Sequence, residues 1–156
     1  MNLVAQKAAC LCIVFALLLL LNSCAHNEPT MLEADAEVWE MQITGGTSGK
    51  YNVLMIRTEN QKGIHPVRGE FSGMATDRIG GRGMVKCKFD GQITNGDFKS
   101  NFTGTGDMVR GAVLIDGSLW GTLSDTEGRG KYYLSHQEGH SDGEWIMKRI
   151  RASNQE

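Results

Sequence analysis

Apolar and polar residues alternate along most of the chain beyond residue 37, which is the pattern of half-buried β-strands. Trp39, Met41 and Ile43, for example, are separated by single polar residues. No stretch of this region has the apolar spacing of a helix, so we predict strands alone. The face predicted to point inward comprises Val67, Phe71, Val85, Cys87, Phe89, Phe98, Phe102, Tyr132 and Leu134, with Ser100 as a small polar exception.

Short turn signals divide this region into about eight to ten strands. The dipeptides Asp90-Gly91, Asn95-Gly96 and Asp116-Gly117 favour hairpin turns, and Val109–Ile115 is predicted to be one of the strands. Because brief loops join consecutive strands in antiparallel order, we predict an all-β, antiparallel up-and-down meander. Such a meander forms either a small lipocalin-like barrel or a sandwich.

Glycine is unusually frequent in the same region. All 20 glycines fall between Gly45 and Gly143, which is roughly one residue in five against a usual ~7%. Proline occurs only twice, at Pro29 and Pro66, and apolar residues are interleaved throughout. This composition indicates tight turns and closely packed strands rather than disorder.

An internal repeat supports the hairpin prediction. The stretch Gly69–Asp77 resembles Gly117–Asp125, and a Gly-Arg-Gly follows each copy, one residue sooner in the second. We predict that each copy is one hairpin, whose Asp hydrogen-bonds the backbone of its own turn. The central Arg82 and Arg129 are candidate anion-binding residues, since glycine backbone N–H groups flank them. Alternatively, both are exposed strand-end residues that pair with the turn Asp.

The amino-terminal segment has the layout of a secretory signal. Residues 1–23 carry a single charge, Lys7, and an apolar run follows from Ala8 to Leu21. This run has 14 residues, fewer than the ~20 that span a bilayer core. The segment Leu21–Cys24 (Leu-Asn-Ser-Cys) resembles the lipobox of bacterial lipoprotein signal peptides, in which Ala, Ser or Thr is more usual at the Asn position.

The lipobox resemblance implies cleavage before Cys24, a diacylglyceryl group on its sulfur and an acyl chain, such as palmitate, on its amine. Two or more acyl chains hold a protein stably on a membrane. In Gram-negative lipoproteins, Ala25 in place of Asp implies the outer membrane, facing the periplasm or the cell surface. The alternatives are an ordinary secretory signal cut near Ser23 or Ala25, or an uncleaved anchor.

The chain accordingly divides into a signal peptide (1–23), a lipidated Cys with a flexible tether (24–36), a Gly-rich β domain (37–152) and a short tail (153–156). Without Lys7 the net charge is −3 with His neutral, so nucleic acid is not expected as a partner. Of the four cysteines, only Cys87 lies beyond Cys24, which excludes an internal disulfide in the β domain.

The richest polar cluster is His136–Glu144, which contains two His and three carboxylates. His136 and His140 are candidate metal ligands, but this spacing needs a helix to bring both rings to one face. Gly139 and Gly143 favour a solvated hairpin loop instead, so we expect both His to be exposed, with no metal and no cofactor. Cys87 lies in mid-strand on the apolar face and is expected to be buried and inert.

No nucleophile elbow, phosphate loop or dinucleotide fingerprint occurs in the sequence. We therefore expect a non-enzymatic scaffold or binding module, held on the membrane by its lipid anchor, that contacts an envelope protein or polysaccharide. The alternative is a carrier of a small apolar ligand inside the barrel, and a hydrolase ranks third. The aromatic residues are expected to fill the interior rather than line a cavity.

Overall fold

The alternating residues form eight β-strands in a computed structural model of the chain, which describes residues 36–58, 63–137 and 139–150. Each strand pairs antiparallel with the next, so the all-β up-and-down meander is confirmed. The strands are β1 (Glu37–Gly45), β2 (Thr47–Arg57), β3 (Ile64–Asp77), β4 (Arg82–Thr94), β5 (Asp97–Met108), β6 (Gly111–Leu123), β7 (Glu127–His136) and β8 (Gly139–Arg149).

The sheet closes on itself, which makes the fold a barrel and not a sandwich. β1 pairs antiparallel with β8 from Trp39 opposite Arg149 to Gly45 opposite Gly143. Closure gives every strand two neighbours and removes the unpaired sheet edges that invite aggregation. The structure is therefore that of a small, lipocalin-like barrel.

The predicted inward face forms the core of this barrel. All nine predicted apolar positions are buried except Leu134, which is half-buried and packs against the core, and Ser100 is buried among them. Trp39, Trp145 and Met55 join them with almost no exposed surface. Period-two alternation thus predicted the two faces of the wall correctly, because successive side chains of a strand point to opposite faces.

Aromatic rings inside the barrel lie over glycines of the neighbouring strand. Phe89 pairs with Gly69, and a Cβ on that glycine would lie 2.6 Å from the Phe89 Cζ atom. Phe102 pairs with Gly117, where the corresponding distance is 2.5 Å. Glycine at these positions provides the space that the ring occupies, so the ring and the glycine together fill one layer of the interior.

The hairpin turns are fewer than the sequence suggested. Asn95-Gly96 does join β4 to β5, with φ of 53° and 87°, the left-handed conformation that a tight two-residue turn requires. The turns predicted at Asp90-Gly91 and Asp116-Gly117 are wrong, because both dipeptides lie inside long strands. Gly91 and Gly117 make room for side chains on the neighbouring strand, and they do not reverse the chain.

The first repeat copy is the predicted hairpin between β3 and β4. Asp77 Oδ1 accepts hydrogen bonds from the backbone N–H of Ile79 at 3.0 Å and of Gly81 at 2.7 Å. These two bonds hold the turn through the local mechanism expected for an Asp in that position. Arg82 begins β4 on the outer face.

The second repeat copy is also a hairpin, between β6 and β7, but its Asp has a different role. Ser124 Oγ accepts from the backbone N–H of Glu127 at 3.1 Å and donates to its carbonyl oxygen at 2.8 Å. Asp125 instead accepts a hydrogen bond from Arg57 Nη1 at 2.9 Å. The expectation for Asp125 was therefore wrong, since the shorter connection returns to strand at Glu127 and Ser124 already bonds the turn.

All eight strands of the barrel and its hydrophobic core lie within residues 37–149. These residues belong to the compact unit Ala34–Glu156, which therefore includes the strand pairs and core contacts of the barrel. In the described part of the chain, no helix is long and apolar enough to cross a membrane. The predicted signal peptide, Cys24, most of the tether and the tail lie outside the described residues.

The unequal turns give a matched test of local stability. We expect Asp77→Ala to lower the free energy of unfolding by about 1–2 kcal/mol, because two backbone N–H groups lose their acceptor. Asp125→Ala should cost about 0–1 kcal/mol, because its side chain is 88% exposed and exposed ion pairs contribute little. Denaturant unfolding of both variants measures the difference.

Asp77→Asn is the control for this comparison, since its amide oxygen can accept the same two bonds and should restore most of the loss. Equal costs for the two alanine variants would contradict the assignment of the turn bonds to Asp77.

Candidate ligand-binding cavity

The two ends of the barrel are built differently. We call the end with the β1–β2, β3–β4, β5–β6 and β7–β8 turns the open end, and the opposite end, where β1 begins and β8 finishes, the closed end. Large aromatic side chains pack the closed half: the Phe98 and Trp145 rings meet edge to face at 5.6 Å. Trp145 Nε1 donates to the Lys131 carbonyl oxygen at 3.0 Å, so its polar atom is satisfied.

An ion-pair network lies at the closed end. Arg57 continues the inward period of β2, and its side chain is only 17% exposed. Its guanidinium contacts Glu37 Oε2 at 3.3 Å and Asp125 Oδ1 at 2.9 Å. Glu37 Oε2 also accepts a hydrogen bond from Trp39 Nε1 at 2.9 Å. Arg57 was not among the predicted site residues, although its spacing from Tyr51 already places it on the inward face.

The open half of the barrel contains a cavity of about 430 Å³. The expectation of a completely filled interior was therefore wrong for this half. Inward positions here carry small residues: Gly73 and Ala75 follow Phe71 on β3, and Gly104 and Gly106 follow Phe102 on β5. The deep lining is apolar and consists of Met41, Tyr51, Phe71, Val85, Cys87, Phe102, Ile115, Leu119 and Tyr132.

Three aromatic rings form one wall of the cavity. Phe71 meets Tyr51 edge to face with ring centroids 5.5 Å apart, and meets Phe102 in the same way at 5.4 Å. Such pairs add to the stability gained by burial and fix the ring orientations. This wall is consequently rigid and presents ring surfaces to the cavity.

Polar groups in the cavity wall are bonded to the β1–β2 turn. The Tyr132 hydroxyl accepts from the Thr47 backbone N–H at 3.0 Å and donates to the Thr47 carbonyl oxygen at 2.8 Å. Thr47 Oγ1 also donates to Ser141 Oγ at 3.0 Å. These bonds attach the turn to the barrel wall and leave the Tyr132 ring as its contribution to the cavity surface.

Tyr51 and Cys87, deep in the cavity, stay neutral near pH 7. Burial raises the pKa of the Cys87 thiol to about 12. The pKa of the Tyr51 hydroxyl is also raised above its ordinary value, mainly by burial and further by the nearby Cys87 and Tyr132 groups. Cys87 is buried, as predicted, and a thiol with a raised pKa is a poor nucleophile.

The two candidate metal ligands lie on different sides of the barrel wall. His136 ends β7, is half-buried and lines the cavity mouth. His140 is exposed and stacks on the Tyr133 ring with centroids 5.8 Å apart. The predicted solvated hairpin loop was wrong, because strands occupy both sides of a short turn, and His136 is half-buried where exposure was expected. No group of three metal-ligating side chains converges among the residues that the structure describes.

The two candidate anion-binding arginines are also far apart in the fold. Arg82 lies on the outer face at the open end, whereas Arg129 lies on the outer face near the closed end. The arginine that does line the cavity mouth is Arg110. Arg110 was not predicted at this mouth, because the sequence pattern indicated a strand from Val109, whereas Val109 and Arg110 form the β5–β6 turn.

The Cys87 thiol provides a test of the closed, apolar environment. In residues 34–156, where Cys87 is the single cysteine, we expect an aromatic disulfide reagent to label it about 10³-fold more slowly in the native than in the unfolded state. The native rate should rise about tenfold per pH unit between pH 8 and 10, because the thiolate fraction does. Equal rates in native and unfolded protein would show that the thiol is open to solvent.

The open-end cavity combines apolar walls, neutral deep groups and a few polar side chains at its mouth, namely Asp77, Arg110, His136 and Gln137. This combination is typical of small-molecule sites, which use apolar surface for affinity and a few polar groups for orientation. Comparison of the chain with protein-family models, with curated proteins and with solved structures gives no match.

Proposed function

We propose that this protein is a non-enzymatic carrier that binds one small, mostly apolar molecule in the open-end cavity. The observation that supports this proposal is the cavity itself: about 430 Å³ of space inside apolar walls, open at one end of the barrel. Its volume lies in the lower part of the ~300–1,000 Å³ range of small-molecule sites. An eight-stranded barrel is just wide enough to hold one small ligand.

The wall chemistry limits the kind of ligand. Tyr51 and Cys87 are neutral, and the deep lining offers no charge to pair with a buried charged group. Because burying an unpaired charge is costly, the part of the ligand inside the barrel is apolar or aromatic. A polar end stays at the mouth, beside Arg110 and His136.

We further propose that the carrier is anchored to the outer membrane of a bacterial envelope through Cys24, because Leu21–Cys24 resembles a lipobox. β1 begins at the closed end, so the preceding tether joins the barrel there. The cavity mouth lies at the opposite end and remains free of that connection.

Ligand binding can be tested by introducing a larger side chain at an inward-pointing position, so that the side chain fills the cavity. N-phenyl-1-naphthylamine, an uncharged apolar fluorophore, should bind residues 34–156 saturably at one site. Ala75 is buried and lines the cavity, so Ala75→Phe should weaken binding at least about tenfold by occupying the ligand's space. Fluorescence titration measures both affinities.

Met74→Phe is the matched control, because Met74 is the adjacent residue of β3 and points outward. It should leave the affinity within about twofold. Ala75→Leu, a smaller filling, should have an intermediate effect, and thermal unfolding verifies that each variant is folded. Absence of saturable binding, or equal affinities for Ala75→Phe and Met74→Phe, would reject the carrier proposal.

The anchor is tested separately by expressing the full chain with Cys24→Ala. We expect the native protein in the membrane fraction with the mass of a triacylated mature chain that begins at Cys24. The variant should be unprocessed at that position and carry no acyl groups, because the acceptor sulfur is absent. A variant with the same processed mass and membrane fraction as the native chain would refute lipidation at Cys24.

A further inference from the structure

The cavity mouth carries two unusually exposed apolar side chains. Val109, in the β5–β6 turn, is 81% exposed, and Ile79, in the β3–β4 turn, is 68% exposed. They are the most exposed large hydrophobic residues in the described part of the chain, and both line the mouth. Single exposed apolar residues are common on soluble surfaces, but two such turn tips beside one opening mark a candidate interaction site.

The outer wall below these tips carries further exposed apolar side chains. Met74 and Met84 are cross-strand neighbours on β3 and β4, and both are about half exposed. Leu114, near the start of β6, is 65% exposed. Apolar side chains thus also occur on the outer face of β3, β4 and β6, although Thr105 and Asp107 of β5 lie between Met84 and Leu114.

Basic side chains surround the tips. Arg78 and Arg110 adjoin Ile79 and Val109 in sequence and are exposed, and Arg82 is exposed at the start of β4. Asp107 is the exposed carboxylate on this part of the wall, while the Asp77 carboxylate is bonded to its own turn. We call Arg78, Ile79, Arg82, Val109 and Arg110 the basic apolar rim.

The other half of the mouth is different. The β1–β2 turn contains Gly46 and the β7–β8 turn contains Gln137, so neither presents a large apolar side chain. The apolar and basic character is therefore concentrated on the side formed by β3–β4 and β5–β6. Exposed apolar and basic residues concentrated on one side of the mouth are expected of a docking surface, whereas an ordinary surface would carry them on both sides.

We infer that the basic apolar rim docks on an anionic lipid bilayer, with Ile79 and Val109 entering the interface between headgroups and acyl chains. The three arginines would contact lipid phosphates, which a guanidinium binds through paired hydrogen bonds. An apolar tip flanked by cations is the combination that interfacial membrane binding uses. A second copy of the chain fits poorly, because two such rims would place six arginines against one another.

Docking in this orientation places the cavity mouth against the bilayer. An apolar molecule would then move between lipid and cavity without crossing water; this consequence rests on the proposed carrier function, whereas the docking itself does not.

The test is co-sedimentation of residues 34–156, which lack Cys24 and the signal segment, with lipid vesicles. Vesicles of phosphatidylcholine with an equal part of phosphatidylglycerol are compared with phosphatidylcholine alone, at low and high salt. We expect binding to the anionic vesicles, weakened by salt because the arginine contribution is screened. The double variant Ile79→Ser/Val109→Ser should lower the partition coefficient at least about tenfold, and Arg78→Gln/Arg82→Gln should do so at low salt.

Matched controls lie outside the rim. Ile146→Ser removes a 48% exposed isoleucine from the outer face of β8, and Arg129→Gln removes an exposed arginine near the closed end. Both should bind vesicles within about twofold of the native unit. The docking inference is overturned if the native unit does not bind anionic vesicles, or if the rim variants bind them as well as the controls do.

These outcomes are separable from those of the carrier proposal. Fluorophore binding without vesicle binding would reject docking alone, and vesicle binding without fluorophore binding would reject the carrier alone. Ala75→Phe, which fills the cavity, should retain vesicle binding, because its side chain points into the barrel and not onto the outer surface. If the partner of the rim were an acidic protein instead of a bilayer, the native unit and every variant would bind vesicles no more than background.

Discussion

The pairing of an aromatic ring on one strand with a glycine on the next is the contact on which the rest of this barrel depends. Eight closed strands leave an interior only just wide enough for side chains, so bulky residues cannot occupy every inward position. Phe89 over Gly69 and Phe102 over Gly117 each place one ring in the space of two side chains. Glycine is required at these two positions, because a Cβ at either one would collide with the ring.

The same rule explains why the two halves of the interior differ. In the closed half, the large rings of Trp39 and Trp145 fill the interior, and the Arg57–Glu37 ion pair covers it. Toward the open end, the inward residues of β5 change from Phe102 to Gly104, and space remains. A rigid filled half thus supports a hollow half, as expected of a scaffold that holds a preformed ligand site.

The candidate site was only partly predictable from sequence. The burial of Cys87 followed from alternation within one strand, and it is confirmed. His136 and His140 were singled out as part of a polar cluster, yet they lie on opposite faces of the wall. Inward residues are even-numbered in β7 and odd-numbered in β8, so His136 points inward and His140 points outward. Val109 and Arg110 were assigned to a strand, but β6 begins two residues later, at Gly111, so both residues lie in a turn at the mouth. Local composition does not fix a strand boundary to within two residues.

The sequence by itself determined the all-β class, the inward face and the antiparallel order, because these depend on period-two alternation and on local turns such as Asn95-Gly96. Tertiary structure decided what depends on residues far apart in the chain. The pairing of β1 with β8 made the sheet a barrel, and proximity to Arg57 gave Asp125 a role that its repeat partner Asp77 lacks. The cavity was also decided by the tertiary structure, since the empty space depends on which inward side chains meet across the closed sheet.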